Sequence, residues 1–579
     1  MNRDDDLRIR PGRIRSRGNQ RARPFIAQAL AATQKAGGHV SRNGRVSARR
    51  ASRFGRGRVA SVQANRLLTS RSRLATVKTR IVRHGARRAT LGAHLSYLRR
   101  EGVTRDGEKA RMFGPNTDDA DVKDFAERCE DDRHHFRFII SPEDAVEMSD
   151  LKGYARDLMS QVEKDLATEL DWVGVDHWNT DNPHAHVILR GRADDGKDLV
   201  IARDYISQGM RARAQDLVTQ ELGPRSELDI RRSLDNQIDA ERWTRLDRQL
   251  VRDAGQQGVI DLAPRPDRQS DEYLTQKVGR LRKLGSLGLA HQLGPGQWVM
   301  SNEAETTLRA LAERGDIIKR MHKALAERGI ERAASSYVLA GESVGDPIVG
   351  RLIDRGLDDE LKGTAFAVVD GTDGRTHHIK LPDLDAAADG PAGSIVELRR
   401  FEDAHGRTRV ALAVRSDLEI EAQVKASGAT WIDRQLIAHE PAPLGGGGFG
   451  AEVQSAMTAR ADHLIEQGLA RRQGQQVIYA RNLLDTLRRR ELDAVGEKLV
   501  VETGTPFQKA ASGEYVAGVY RQRLMLSSGR FAMIDNGLGF QLVPWSPSLE
   551  RNLGKHISGI ARVDGGIDWS FGRKHGLGL

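Results

Sequence analysis

The chain has 579 residues, a single cysteine and a formal net charge of +11. It is too long for one hydrophobic core, so three or four domains are expected; the lone Cys129 excludes an intrachain disulfide and any multi-cysteine zinc site. No run of about 18 apolar residues occurs and the opening MNRDDDLRIR lacks an apolar signal core, so a soluble, cytoplasmic protein without membrane insertion is expected.

The charge is uneven. Residues 1–88 hold 24 Lys and Arg against three acidic residues, a net of +21 that leaves the rest of the chain at −10. Residues 1–73 read as a disordered Arg-rich arm, suited to phosphate contacts or serving only as a soluble tail. A first folded domain is expected over 74–225. It opens with strand-like KTRIVRH, continues through the amphipathic helix TLGAHLSYLRREG, and crosses an acidic connector, NTDDADVKDFAERCEDD. RHHFRFIIS then reads as a buried strand, and a helix is expected from about Pro142 to Leu170. DWVGVDHW and AHVILRG, separated by Asp-Asn-Pro, read as a hairpin.

The composition changes beyond Gly223-Pro224. Residues 280–299, RLRKLGSLGLAHQLGPGQWV, align with 460–477, RADHLIEQGLARRQGQQV, and each is followed by a helix. Helix, turn, two short strands and helix is the outline of a winged helix, a shape used both for DNA and for protein partners. The expected organisation is a helical, winged-helix-like domain at 233–340 and a β-rich domain at 341–444. GGGG at 445–448 reads as a flexible linker, and 449–579 as a second winged-helix-like repeat ending in a β-rich segment.

The chemistry concentrates in HWNTDNPHAH, residues 177–186. On a strand His184 and His186 share a face, and a hairpin brings His177 opposite them. An isolated His-x-His is usually polar strand surface; three convergent imidazoles instead suit a divalent ion such as zinc, manganese, cobalt or nickel with open positions. Asp181 either orients a ligand imidazole or only shapes the turn. A metal beside a basic arm can polarise a phosphodiester. The nucleophile candidate is Tyr97, which Arg99 and Arg100 follow; without the histidines it reads as an ordinary amphipathic helix residue.

HWNTDNPHAH resembles the three-histidine motif of the HUH endonucleases. YLRREG some 80 residues upstream, with FRFIIS-Pro between, resembles VirD-type relaxases. The likeness covers roughly residues 74–225, and the remainder resembles the extension of a subset of mobilisation relaxases. It implies an α+β fold, a central antiparallel sheet flanked by helices, with the metal site on the central strands. It further implies that Tyr97 attacks a phosphodiester of single-stranded origin-of-transfer DNA, leaving a reversible 5′-phosphotyrosyl link. His177, His184 and His186 would hold a divalent ion (Mg, Mn or Zn), and Arg99, Arg100 and Ser141 would contact DNA; for the base, which the family's pattern would place at Asn179, Asp181 is the replacement candidate. The implied partners are accessory relaxosome proteins and the coupling protein of a type IV secretion channel, through which the chain would travel with the strand.

One departure stands out. Relatives commonly have aspartate two residues after the first histidine, where this chain has Asn179, which cannot take a proton at neutral pH. Aromatic residues are few, so base stacking would rest on Phe136, Phe138 and Trp178, which serve equally well as core. Two other readings stay open: a non-enzymatic DNA-binding protein built on the winged-helix-like repeats, and a metal-dependent hydrolase working through water.

Overall fold

A computed structural model describes residues 71–84, 90–100, 103–178, 182–255, 258–263, 273–339, 347–402, 406, 408–510, 513–562 and 566–570, with a two-residue ladder at 39–40 and 46–47. The chain divides into two compact units, 1–309 and 310–579. Both mix helices with mainly antiparallel sheet, an α+β architecture. Among the described residues no helix is long and apolar enough to cross a membrane.

Unit one is built on a four-stranded antiparallel sheet in the order β1-β2-β4-β3, from β1 (Ala75–Arg83), β2 (His134–Pro142), β3 (Trp172–His177) and β4 (His184–Arg190). Alternation decides what each face buries. Phe136, Phe138, Ile140, Ala185, Val187 and Leu189 face a core shared with α3 (Leu151–Leu166) and α4 (Met210–Leu222). On the opposite face Val173, Val175 and Ile188 pack under α1 (Thr90–Leu98), through Leu91, Leu95 and Leu98, and under Phe125 of α2 (Val122–Arg128). Gly174 lacks a side chain for a steric reason: a Cβ there would stand 2.8 Å from the ring of Phe113, which bridges to it.

Two sequence expectations change here. The helix expected from Pro142 starts at Leu151, because β2 runs on to pair Pro142 with Ala75. Asp150 then caps α3, its carboxylate accepting from the Gly153 N–H at 2.8 Å. The acidic connector is not all loop: Asp121 caps α2 by accepting from the N–H groups of Lys123 and Asp124.

Further along unit one come α5 (Glu227–Ile238), α6 (Arg245–Ala254), β5 (Val259–Asp261), α7 (Leu274–Ser286), β6 (Ala290–Gly294) and β7 (Gln297–Met300), with sheet order β5-β7-β6. The unit boundary falls within α8 (Ala304–Glu327). In unit two β8 (Tyr337–Val338), β9 (Val349–Asp359), β10 (Thr364–Gly371), β11 (Thr376–Leu381), β12 (Ile395–Glu402) and β13 (Thr408–Ser416) form a sheet ordered β8-β11-β10-β9-β12-β13. There follow α9 (Ile420–Val424), α10 (Trp431–Leu436), α11 (Gly448–Glu466), the hairpin β14 (Ala470–Gln473) and β15 (Gln476–Tyr479), and α12 (Leu483–Thr503). The last sheet, from β16 (Phe507–Gln508), β17 (Tyr515–Leu526), β18 (Gly529–Asp535), β19 (Phe540–Pro544), β20 (His556–Ala561) and β21 (Ile567–Ser570), is ordered β16-β19-β18-β17-β20-β21.

The two six-stranded sheets therefore share one strand order, each with its short first strand parallel to its neighbour. The repeat visible in sequence is part of a much longer duplication, helices and hairpin followed by a six-stranded sheet. The same polar lock recurs in both copies. Arg280, fully buried, donates to both oxygens of Asp247 and to the carbonyls of Ile238, Ala240 and Arg242. Arg460 donates in the same way to Asp433 and to the carbonyls of Val424, Ala426 and Gly428.

The four glycines at 445–448 are not a loose linker. The Gly445 N–H donates to the Thr372 carbonyl at 2.7 Å, and a Cβ on Gly445 would stand 2.4 Å from the Asp373 carbonyl oxygen. Gly445 and Gly448 let two backbones touch, and Gly447 leads straight into α11.

Candidate metal centre

The hairpin β3–β4 pairs His177 with His184, and Val175 with His186, so all three imidazoles project from the face that α1 covers. Their ring centroids stand 4.5–5.5 Å apart, and their ligating atoms fall within 4.8 Å of one another. This group can hold a metal ion. His177 is fully buried and His186 is 3% exposed.

The hydrogen bonds define which nitrogens are available. A carbonyl oxygen only accepts, so His177 Nε2 donates to Leu98 O at 2.9 Å and its Nδ1 carries the lone pair. His184 Nδ1 likewise donates to Asn182 O at 2.9 Å, which turns the Nε2 lone pair toward His186. His184 Nε2 and His186 Nε2 are 3.0 Å apart. Two nitrogens bound at about 2.1 Å and at right angles to one ion would be about 3 Å apart. A ligand imidazole that donates its other N–H to a backbone carbonyl is the usual support of a metal site. The donor set, three neutral nitrogens without thiolate, therefore fits a divalent ion.

The Leu98 carbonyl closes α1, one residue after Tyr97. A second bond, from the Trp178 N–H to Val103 O at 2.7 Å, ties the end of β3 to the loop that follows the helix. Tyr97 is half-buried, and the Arg100 guanidinium carbon lies 4.3 Å from its ring centroid. Arg99 is half-buried too. Ser141, at the end of β2, donates to the carbonyl of Pro183 at 3.4 Å, bracing the turn that precedes His184. Asn179 and Asp181 lie outside the described residues, as do nearly all of the basic arm and the C-terminal FGRKHGLGL.

Phe136 and Phe138 cannot stack on bases: each is 1% exposed and belongs to the core on the other face of the sheet. Trp178 stays half-buried at the rim, its indole N–H on Asp176 at 2.7 Å and Arg105 5.0 Å from its ring.

Strand register also shows what the sequence reading passed over. Ile139 pairs with His186 and with Lys78, while Arg137 pairs with Ile188 and with Arg80. Lys78, Arg80 and Arg137 therefore share the histidine face. Beside them His135 accepts from Arg137 Nε at 3.1 Å and lies 2.6 Å from His84 Nε2. Burial, reinforced by the Arg137 charge, pushes His135 down to about 2, and burial with the nearby Arg80 pushes Arg137 down to about 10. The alternation in Lys-Thr-Arg and His-Phe-Arg was the available signal. Cys129 is buried at the α2 terminus and its thiol is pushed up to about 12 by desolvation, which removes it from any nucleophilic role.

Residues 277–408 and 399–578 match the model of a family described as protein of unknown function (DUF3363). Together these matches run over more than half of the chain, and the chain belongs to that family. No curated protein and no solved structure matches it. The three histidines precede the matched region.

Proposed function

We propose that the domain carrying the three histidines is a metal-dependent DNA relaxase of the HUH type, nicking and rejoining a single strand through Tyr97. The observation that carries this reading is the His177–Leu98 hydrogen bond, which holds the Tyr97 end of α1 against the metal-binding hairpin. The antiparallel sheet with helices on both faces supports it as well. A divalent ion (Mg, Mn or Zn) held by His177, His184 and His186 would draw charge from the scissile phosphate. The Tyr97 oxygen bonds to phosphorus while the bond to the 3′-oxygen breaks, giving a 5′-phosphotyrosyl link and a 3′-oxygen that takes a proton from water to become a free hydroxyl; the reverse step rejoins the strand. The phenolic proton goes to a base, for which Asp181 is the candidate. Arg100, packed on the phenol ring, favours its ionised form, and Arg99 would contact the phosphate backbone.

On this reading the substrate is single-stranded origin-of-transfer DNA. The partners are accessory relaxosome proteins and a type IV coupling protein, and the chain acts in the cytoplasm before passing to a recipient cell with the strand. Incubation with labelled single-stranded origin oligonucleotide and a divalent ion should give a covalent adduct that survives denaturation. An adduct that persists in Tyr97→Phe sinks the assignment.

A second reading, a DNA-binding regulator without catalysis, draws on the C-terminal region. Three helices and a hairpin, α5, α6, α7 and β6–β7, are an arrangement a winged helix could be built from, and the corresponding region of the second copy exposes Arg471, Arg481, Arg489 and Arg490. Tight duplex binding without bound metal and without adduct would favour it.

A further inference from the structure

Arg80 and Arg137 stand directly opposite each other on β1 and β2. Like charges in that position repel. Arg80 is exposed, but Arg137 is only 4% exposed and, among the described residues, no carboxylate pairs with it. A guanidinium does not shed its charge, and a buried cation without a counter-charge is costly. The other deeply buried arginines show what a satisfied one looks like: Arg280 and Arg460 each have an aspartate and three carbonyls.

The bonds around Arg137 orient it. Its Nε can only donate, so His135 Nε2 accepts and His135 Nδ1 donates on to His84 Nε2. That chain consumes Nε and leaves the two terminal amino groups, the fork that matches an oxyanion. Exposed Lys78 lies two residues from Arg80 on the same face, in the row that leads through Ile139 to His186.

We propose that Arg137 and Arg80 form an oxyanion pocket for a phosphodiester of single-stranded nucleic acid, one residue row from the histidine trio. The identity of this ligand rests on the nicking reading above; the pocket itself requires only a phosphate-like anion.

The test is thermal unfolding of the full chain, with a chelator present so that phosphate cannot gather at the histidines. Inorganic phosphate is titrated against chloride at matched ionic strength, then a short oligothymidylate. Phosphate should raise the unfolding midpoint of the wild type, and Arg137→Met and Arg80→Gln should each weaken that response about tenfold or more. Arg137→Met should be at least as stable as wild type in chloride, because it removes an uncompensated buried cation. Oligothymidylate should protect at lower concentration than phosphate does. Equal responses in wild type and variants, an Arg137→Met protein less stable in chloride, or oligothymidylate no better than free phosphate would each overturn the proposal. The adduct assay separates the two readings: an Arg137-dependent anion response without adduct keeps the pocket and removes the nicking, and the converse keeps the nicking alone.

Discussion

The imidazole of His177 donates from Nε2 to the carbonyl oxygen of Leu98 at 2.9 Å, so one bond fixes both the tautomer of a residue of the candidate metal centre and the end of the helix carrying Tyr97. His184→Ala and His186→Ala should each reduce zinc affinity about a hundredfold or more in titration calorimetry. His177→Ala should do the same and also speed amide hydrogen exchange near the end of α1, where the other two variants should leave it unchanged. Undiminished zinc binding in all three variants would remove the metal centre.

Arg100 packs against the Tyr97 ring at 4.3 Å, where a cation favours phenolate over phenol. A contact of this kind is worth about 0.5–1 kcal/mol, or roughly two- to fivefold in rate. Arg100→Ala should therefore slow adduct formation by about that factor and move the rising limb of its pH profile, along which the phenol ionises, to higher pH. A slower reaction with an unmoved profile would mean that Arg100 contacts only DNA.

The histidine hairpin was legible in sequence because strand alternation and a Pro-containing turn are local properties. The link from His177 to Leu98 was not, since nothing local records which carbonyl a histidine 79 residues away will meet. Phe136 and Phe138 were ambiguous for a related reason: alternation sorts residues onto two faces without saying which face a helix pair will cover. The duplication was seen only at 280–299 and 460–477, although Leu-Asp-Arg-Gln-Leu at 246–250 and Ile-Asp-Arg-Gln-Leu at 432–436 repeat as well. Asp247 and Asp433 gain their meaning only when Arg280 and Arg460 close on them. The glycines at 445–448 misled because composition does not distinguish a free chain from one pressed against another backbone.

His135 gives a pH dependence with a definite sign. Its folded value, about 2, lies below the 6.5 of an unfolded histidine, so the unfolded chain takes up the proton first. This contribution is complete above pH 6.5 and is lost as pH falls toward 2, amounting to about 2 kcal/mol between pH 6.5 and 5. His378, pushed down to about 4 chiefly by burial, acts in the same direction. The informative quantity is therefore the difference between wild type and His135→Gln. Denaturant unfolding at several pH values should show a shallower loss in the variant, and parallel curves would contradict the assignment.

The twin locks at Arg280–Asp247 and Arg460–Asp433 are fully buried on both sides. Each arginine gathers carbonyls that end one helix and the aspartate that caps the next, so the lock fixes the path between two helices. Removing one partner leaves a buried charge and unmet carbonyls, which costs about 3–5 kcal/mol. Arg280→Ala and Arg460→Ala should each destabilise by that amount. Replacing both members of a lock by apolar residues, as in Arg460→Met with Asp433→Leu, should cost less than Arg460→Ala alone, because no charge remains to be buried. Urea unfolding of the three proteins decides it: a double variant as unstable as the single would show that the carbonyl contacts, rather than the ion pair, hold the turn.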